Sequence, residues 1–270
     1  MNYWKRVIAL IDMNSFFAAI EQRDNAELRG QPIGITNGEQ GRCIITSSYE
    51  ARAYGIKTGM RIEDAQAKCP HFMAVPSRPH VYADTSAAIM AALHRITPLV
   101  EVFSIDEAFC DLTACQRLLG TPEHIGKLIK QTVFEVSGLL CSVGVSGDKT
   151  TAKWAAKLKK PNGFTVISPN ETKARLKDVL LTDLCGIADG IGHFLALRGI
   201  YYCGQMEKLP ISVLGKRFGN LGRRILLMAQ GLDPDKVNPE IKAAKSMGHG
   251  QACHYAHDIF RPSCPLKIFA

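Results

Sequence analysis

Hydrophobic and polar positions along the chain follow two periods. Val7-Ile8-Ala9-Leu10-Ile11 is a short continuous apolar run, the pattern of a strand buried on both faces. Apolar residues at Phe16, Phe17, Ala19 and Ile20 then predict a helix over 15–24, with Asn14 or Ser15 as its N-cap. Residues 33–36 and 43–46 read as strands around a turn at Gly38 and Gly41. Short helices are predicted over 49–54, capped by Ser47-Ser48 and stopped at Gly55, and over 61–68. A long helix over 80–95 ends before Pro98. Leu99-Val100-Glu101-Val102-Phe103 and Phe109-Cys110-Asp111-Leu112-Thr113 form a strand pair, followed by an amphipathic helix over 122–136. Strands at 140–145 and 164–167 bracket a helix over 149–160, and short helices broken by glycines follow Ser168. Helices crossing over an at least partly antiparallel sheet make an α+β layer, not a doubly wound sheet.

Acidic groups sit where two of these strands end. Asp12 follows the first run, and Asp106-Glu107 lies at the bend before Phe109. A carboxylate at a sheet rim is costly to bury unless paired or bound to metal. If the runs are neighbouring strands, Asp12, Asp106 and Glu107 converge, and hard oxygen ligands favour Mg²⁺. The competing reading is a solvated Asp-Glu turn.

Composition narrows the partner class. The 270 residues carry a formal net charge of +8, with 46% hydrophobic and 21% charged residues, so a soluble globular chain with a polyanionic partner is expected. No apolar stretch reaches the roughly 18–20 residues that span a bilayer. Asp12 interrupts the first apolar run too soon for a signal peptide, so no membrane association and a cytoplasmic location are expected. The nine cysteines include no C-x-x-C pair and read as reduced, buried hydrophobes. Cys253-His254 with His257 has metal-ligand residue types in an irregular tail and is read as accidental.

Basic residues are unevenly placed. Lys149, Lys153 and Lys157 fall at i, i+4 and i+8 and predict a one-sided stripe suited to phosphate contact. The alternative is an ordinary solvated face. Leu184 to Ile200 has the shape of a helix-hairpin-helix, whose turn lets backbone N–H groups approach a DNA phosphate. Its turn, Gly186-Ile187-Ala188, has Ala where a second Gly is usual, and an ordinary helical pair is the alternative.

Four motifs stand in register: Asp12-Met13-Asn14-Ser15-Phe16-Phe17-Ala18, Tyr49-Glu50-Ala51-Arg52, Ser104-Ile105-Asp106-Glu107-Ala108 and Lys160-Pro161-Asn162-Gly163. In order and spacing they resemble the Y-family (translesion) DNA polymerases over roughly residues 5–248, of the bacterial DNA polymerase IV and polymerase V catalytic subunit type. The resemblance implies a palm-type mixed sheet with two packing helices (1–12 and 80–167), a small α/β fingers insertion (13–79) and a helical thumb with the helix-hairpin-helix (168–240). It also implies that Asp12, Asp106, Glu107 and the Met13 carbonyl hold two Mg²⁺ ions. Thr46, Tyr49, Arg52 and Lys160 match residues gripping the triphosphate of a dNTP. Phe17 matches a ring that excludes a ribose 2′-OH; of the adjacent Phe16 and Phe17, one is left for the core. Gly59 and Cys43 match small residues over the templating base, which implies low fidelity. Lys149, Lys153, Gly186 and Ala188 would meet primer-template DNA. A sliding clamp or other replication proteins are expected partners of a full-length relative.

Two departures qualify the resemblance. Asn14 stands where many relatives have Asp, outside the three metal carboxylates. Residues 241–270 read as a linker and irregular tail where relatives continue into a little-finger domain that clamps DNA. A truncated core with impaired activity is therefore expected. Two rival readings remain: a catalytically weak or inactive DNA-binding remnant, and a nucleotidyl cyclase, a palm-type enzyme that needs neither the basic stripe nor the hairpin.

Overall fold

A computed structural model describes residues 3–240. In chain order the elements are β1 (Ile8–Met13), α1 (Phe16–Asp24), β2 (Ile33–Thr36), β3 (Ile44–Ser47), α2 (Tyr49–Ala53), α3 (Ile62–Lys68), β4 (Met73–Pro76), α4 (Pro79–His94) and β5 (Val100–Val102). They continue as β6 (Glu107–Asp111), α5 (Gln116–Leu119), α6 (Pro122–Ser137), β7 (Cys141–Ser146), α7 (Lys149–Lys157), β8 (Phe164–Val166), α8 (Pro169–Leu176), α9 (Asp189–Ala196) and α10 (Ile211–Ala229).

The main sheet has the order β5-β6-β1-β7-β8. Its first four strands pair antiparallel, and β8 adds parallel to β7. Central β1 is buried along its whole length because both faces are covered. Val7, Ala9, Ile11 and Met13 pack with Tyr82, Ile89 and Leu93 of α4 and Ile125, Ile129 and Val133 of α6. Ile8 and Leu10 point the other way, to Ala152 and Ala156 of α7. A continuous apolar run is what such a two-sided strand requires.

A smaller sheet, β3-β2-β4, covers the α/β insertion, where Ile44, Ala51, Ile56, Ala65, Cys69 and Phe72 form a separate cluster. Residues beyond Ser168 have their own core, including Leu181, Leu184, Leu195, Met206, Leu214 and Ile225. A returning segment ties this helical part to the sheet. Asp233, 1% exposed, accepts from Arg224 at 2.8 and 2.9 Å and from Thr150 Oγ1 of α7 at 2.7 Å, while Val237 packs on Ile8 and Leu10.

The structure departs from expectation in places. β4 and α5 were not predicted. Met73-Ala74-Val75-Pro76 is a largely exposed edge strand whose pairing partner, not its pattern, defines it. Within 184–200, where a helix-hairpin-helix was expected, α9 is the one helix, and a 3-10 turn over Leu181–Asp183 precedes that span. Residues 241–270, including Cys253, His254 and His257, lie outside the described residues. The described cysteines are all free thiols, and no helix among the described residues is long and apolar enough to cross a membrane.

α7 lies so close to β7 that Gly144 has no room for a side chain. A Cβ there would run into the backbone of Ala152 and Ala156. Backbone cannot swing aside as a side-chain tip can, so Gly144→Ala is expected to cost about 3 kcal/mol. A shift of the urea midpoint at unchanged slope is the check; an unmoved midpoint would show that α7 can be displaced freely.

Candidate active site

The β1–β6 register sets Asp12 directly opposite Glu107. Asp12 follows Ile8 and Leu10 in alternation, so its carboxylate falls on the α7 face of the sheet. It is 5% exposed. Two carboxylates facing each other with little water need compensating charge, and α7 with the turn after it supplies two ammoniums. Lys153 Nζ donates to Glu107 Oε2 at 2.6 Å, and Lys160 pairs with Asp12 Oδ1. Burial, the largest cause, pushes the Asp12 carboxyl up to about 6; Lys160 pulls it down and Glu107 raises it further. Burial also works to raise Glu107, but Lys153 and neighbouring Asp12 outweigh it, and its carboxyl lies below the usual range.

Asp106 does not join the pair. It lies in the bend just before β6. Its Oδ1 accepts from Ser104 Oγ at 2.7 Å, while its carbonyl accepts from the Met13 N–H at 3.0 Å. Among the described residues, no group of three or more His, Cys, Asp or Glu side chains is gathered closely enough to hold a metal ion. Of the three carboxylates expected to converge, Asp12 and Glu107 face each other, and Asp106 is one residue away and tied to Ser104. The donor chemistry still fits a hard divalent cation. Asp12 and Glu107 are paired oxygen donors, and the two lysines provide the positive charge that a cation would bring.

The turn that carries Lys160 is held by Asn14, already marked out in the sequence, together with Ser142 and Lys130, which were not. Asn14 Oδ1 accepts from the Asn162 N–H at 2.6 Å, and Asn14 Nδ2 donates to Ser142 Oγ at 3.0 Å. Lys130 Nζ binds the Cys141 and Asn162 carbonyls, both at 2.8 Å, and Asn162 Oδ1 at 2.7 Å. Asn14 thus anchors the turn after α7 with an amide that both accepts and donates, which a carboxylate cannot do.

The aromatic pair divides cleanly. Phe16 is buried in the sheet core, and Phe17 is only partly buried. Between them and β1, Ser15 adopts a left-handed backbone (φ 49°) and does not cap α1. Its hydroxyl is buried with no partner, and so is that of Tyr49. A buried hydroxyl without a partner marks a place where a ligand oxygen or water belongs. Tyr49 opens α2 and stacks under the exposed Arg52 guanidinium at 4.7 Å, and Thr46 lies on adjacent β3. α1 is joined to this corner by the Gln22–Glu50 hydrogen bond.

The lysine stripe is a correction. Lys149 is buried and pairs with Glu101 at 2.8 Å and Asp235 at 3.0 Å. Lys153 is buried on Glu107 and over the Phe103 ring at 4.2 Å. The face that the spacing assigned to phosphate points instead under the β5–β6 hairpin, because that is where the unpaired carboxylates are. Lys157 and Lys159 remain exposed, as do Gly186 and Ala188.

The sequence signature of the impB/mucB/samB family matches residues 11–157, more than half of the chain. The chain belongs to the impB/mucB/samB family. The matched span of this family runs from β1 through α7, and the Y-family resemblance of the four motifs agrees with it. Curated relatives include DNA polymerase IV of Moorella thermoacetica, 38% identical over 90% of this chain. DNA polymerase IV of Shewanella woodyi is 39% identical over 90% of this chain. The chain spans 62% and 67% of the length of these two relatives. A crystal structure of DinB from Sulfolobus solfataricus matches 86% of this chain and 69% of its own, at 29% identity and a TM-score of 0.76.

The raised Asp12 carboxyl makes a signed prediction. A folded pKa of about 6 against an ordinary 3.8 favours the protonated folded form. That stabilisation is complete below pH 3.8 and is lost as pH rises through 6. Without divalent cations, the protein is expected to lose on the order of 2–3 kcal/mol between these limits relative to Asp12→Asn. Thermal midpoints of both proteins from pH 4.5 to 7 measure this, and parallel curves would refute it.

Proposed function

We propose that this chain is the catalytic part of a template-directed, low-fidelity DNA polymerase that transfers a nucleotidyl group from a dNTP to a primer 3′-OH during translesion synthesis. The observation that carries the reading is the facing Asp12–Glu107 pair at the sheet rim, Asp12 buried and Glu107 half-buried, with a lysine on each member, in a chain of this family. Asp12, Asp106, Glu107 and the Met13 carbonyl are the residues that would hold two Mg²⁺ ions. When bound, such ions lower the pKa of the 3′-OH and neutralise charge on the triphosphate.

The chain's own residues account for the rest of the site. The Lys160 side chain is partly exposed while Asp12 is buried, so its ammonium can exchange the carboxylate for a phosphate oxygen. Tyr49 offers its unpartnered hydroxyl and Arg52 a charged fork to the same polyanion. Phe17, the half-exposed member of its pair, stands against the sugar. No side chain caps the N-terminus of α9, which leaves its first N–H groups for a duplex phosphate beside Gly186 and Ala188. Residues 1–12 and 80–167 act as palm, 13–79 as fingers and 168–240 as thumb, in the cytoplasm.

A second reading, a DNA-binding remnant without turnover, is favoured by Asp106 being tied to Ser104. Single-nucleotide primer extension at low salt with Mg²⁺ separates the two. Extension is expected, with Asp12→Ala and Glu107→Ala each reducing it by roughly 10³-fold or more. Primer-template binding without extension would favour the remnant, and unimpaired variants would remove these carboxylates from the reaction.

A further inference from the structure

Phe17 is one corner of a ladder of four side chains, and no part of the proposed chemistry uses the other three. Phe17 and Glu21 are one turn apart on α1; Arg78, the residue before α4, and Tyr82 are one turn apart on the facing helix. The upper rung is a ring stack, with the Phe17 and Tyr82 centroids 4.4 Å apart at 16°. The lower rung is an ion pair in which Arg78 Nε donates to both Glu21 oxygens, at 3.0 and 2.9 Å. A diagonal joins the rungs, because the Tyr82 hydroxyl donates to Glu21 Oε1 at 2.7 Å. Arg78 is braced in turn by Asp24 at 2.8 Å.

Glu21 is 5% exposed and Tyr82 2%. A carboxylate in that setting holds its donors firmly, since each lost hydrogen bond leaves buried charge unsatisfied. Tyr82 is therefore locked at its hydroxyl end and cannot slide. Its ring face in turn backs the Phe17 ring, which is free only on its exposed side. Phe17 can retreat only if Tyr82 moves, and Tyr82 can move only by breaking its bond to Glu21.

We propose that Glu21, through Tyr82 and braced by Arg78, is a positioning residue that fixes the depth of the Phe17 ring and thereby sets discrimination between deoxyribose and ribose. The proposal rests on reading Phe17 as the ring that faces the sugar. Glu21 touches no substrate; it acts by denying the ring an alternative position. Loosening the ladder enlarges the space beside the sugar without removing the aromatic surface, so ribonucleotide binding improves more than deoxyribonucleotide binding.

The test is calorimetric titration of a dNTP and of the matching NTP, with Mg²⁺, into the protein bound to a dideoxy-terminated primer-template. Turnover is not needed. Phe17→Ala is expected to abolish the deoxy preference. Tyr82→Phe, which keeps the stack and removes the diagonal, and Glu21→Ala are each expected to reduce it about tenfold. Glu21→Gln, which keeps an acceptor for Tyr82, is expected to restore part of it. Tyr82→Phe removes a single oxygen and guards against mere misfolding of Glu21→Ala. A preference lost in Phe17→Ala but intact in Tyr82→Phe and Glu21→Ala overturns the positioning role and spares the reading of Phe17. A preference that survives Phe17→Ala, or no binding of either nucleotide, overturns both.

Discussion

A buried carboxylate, Asp12, set face to face with a half-buried one, Glu107, is the constraint that the rest of this structure serves. Asp12 and Glu107 repel each other and are poorly hydrated, so the fold must bring positive charge to them. It does so with α7, whose Lys153 reaches Glu107 and whose following turn carries Lys160 to Asp12. That helix can supply both only because it lies against the backbone of β7 at Gly144. The turn after it is held by Asn14, Ser142 and Lys130. An uncompensated pair would be expelled towards solvent; a compensated one is held ready for a cation or for phosphate.

The same economy of charge explains why Lys149, at the start of the stripe, is hidden as well. Lys149 lies between Glu101 and Asp235 and so joins the β5–β6 hairpin to the segment returning from α10. That segment carries Asp233, which is buried and gathers Arg224 and Thr150 around its carboxylate. The helical part that follows Ser168 is thereby pinned to the sheet beside the site by polar contacts as well as by Val237. Such a joint is directional, since ion pairs and hydrogen bonds specify an angle that apolar packing alone leaves loose.

On the other side of β1, α1 works as a bracket. Its N-terminal end presents Ser15 and the Phe16–Phe17 pair, and its C-terminal half is locked to α4 through Glu21 and Arg78. The unpartnered Ser15 and Tyr49 hydroxyls lie in the elements this bracket joins to β1 and α2. Rigid helices that present unsatisfied donors are a suitable support for a polyanionic ligand, because ordering costs little on binding.

Much of this was legible in the chain itself. The apolar run at 7–11, the two strand-like runs on either side of Asp106 and the glycine and proline stops gave most elements, since local periodicity is set by which faces are buried. The four motifs led to the family, because a site needs the same residue types in the same order. Strand β4 escaped, since its pattern is that of an exposed edge and only the neighbouring β2 defines it. The bond that ties Asp106 to Ser104 and the inward turn of Lys149 and Lys153 were also out of reach. A sequence by itself determines which residues can be strand, helix or charge. Whether a lysine meets solvent phosphate or a buried carboxylate depends on what another strand, forty or more residues away, places beneath it, and only the tertiary structure decides that.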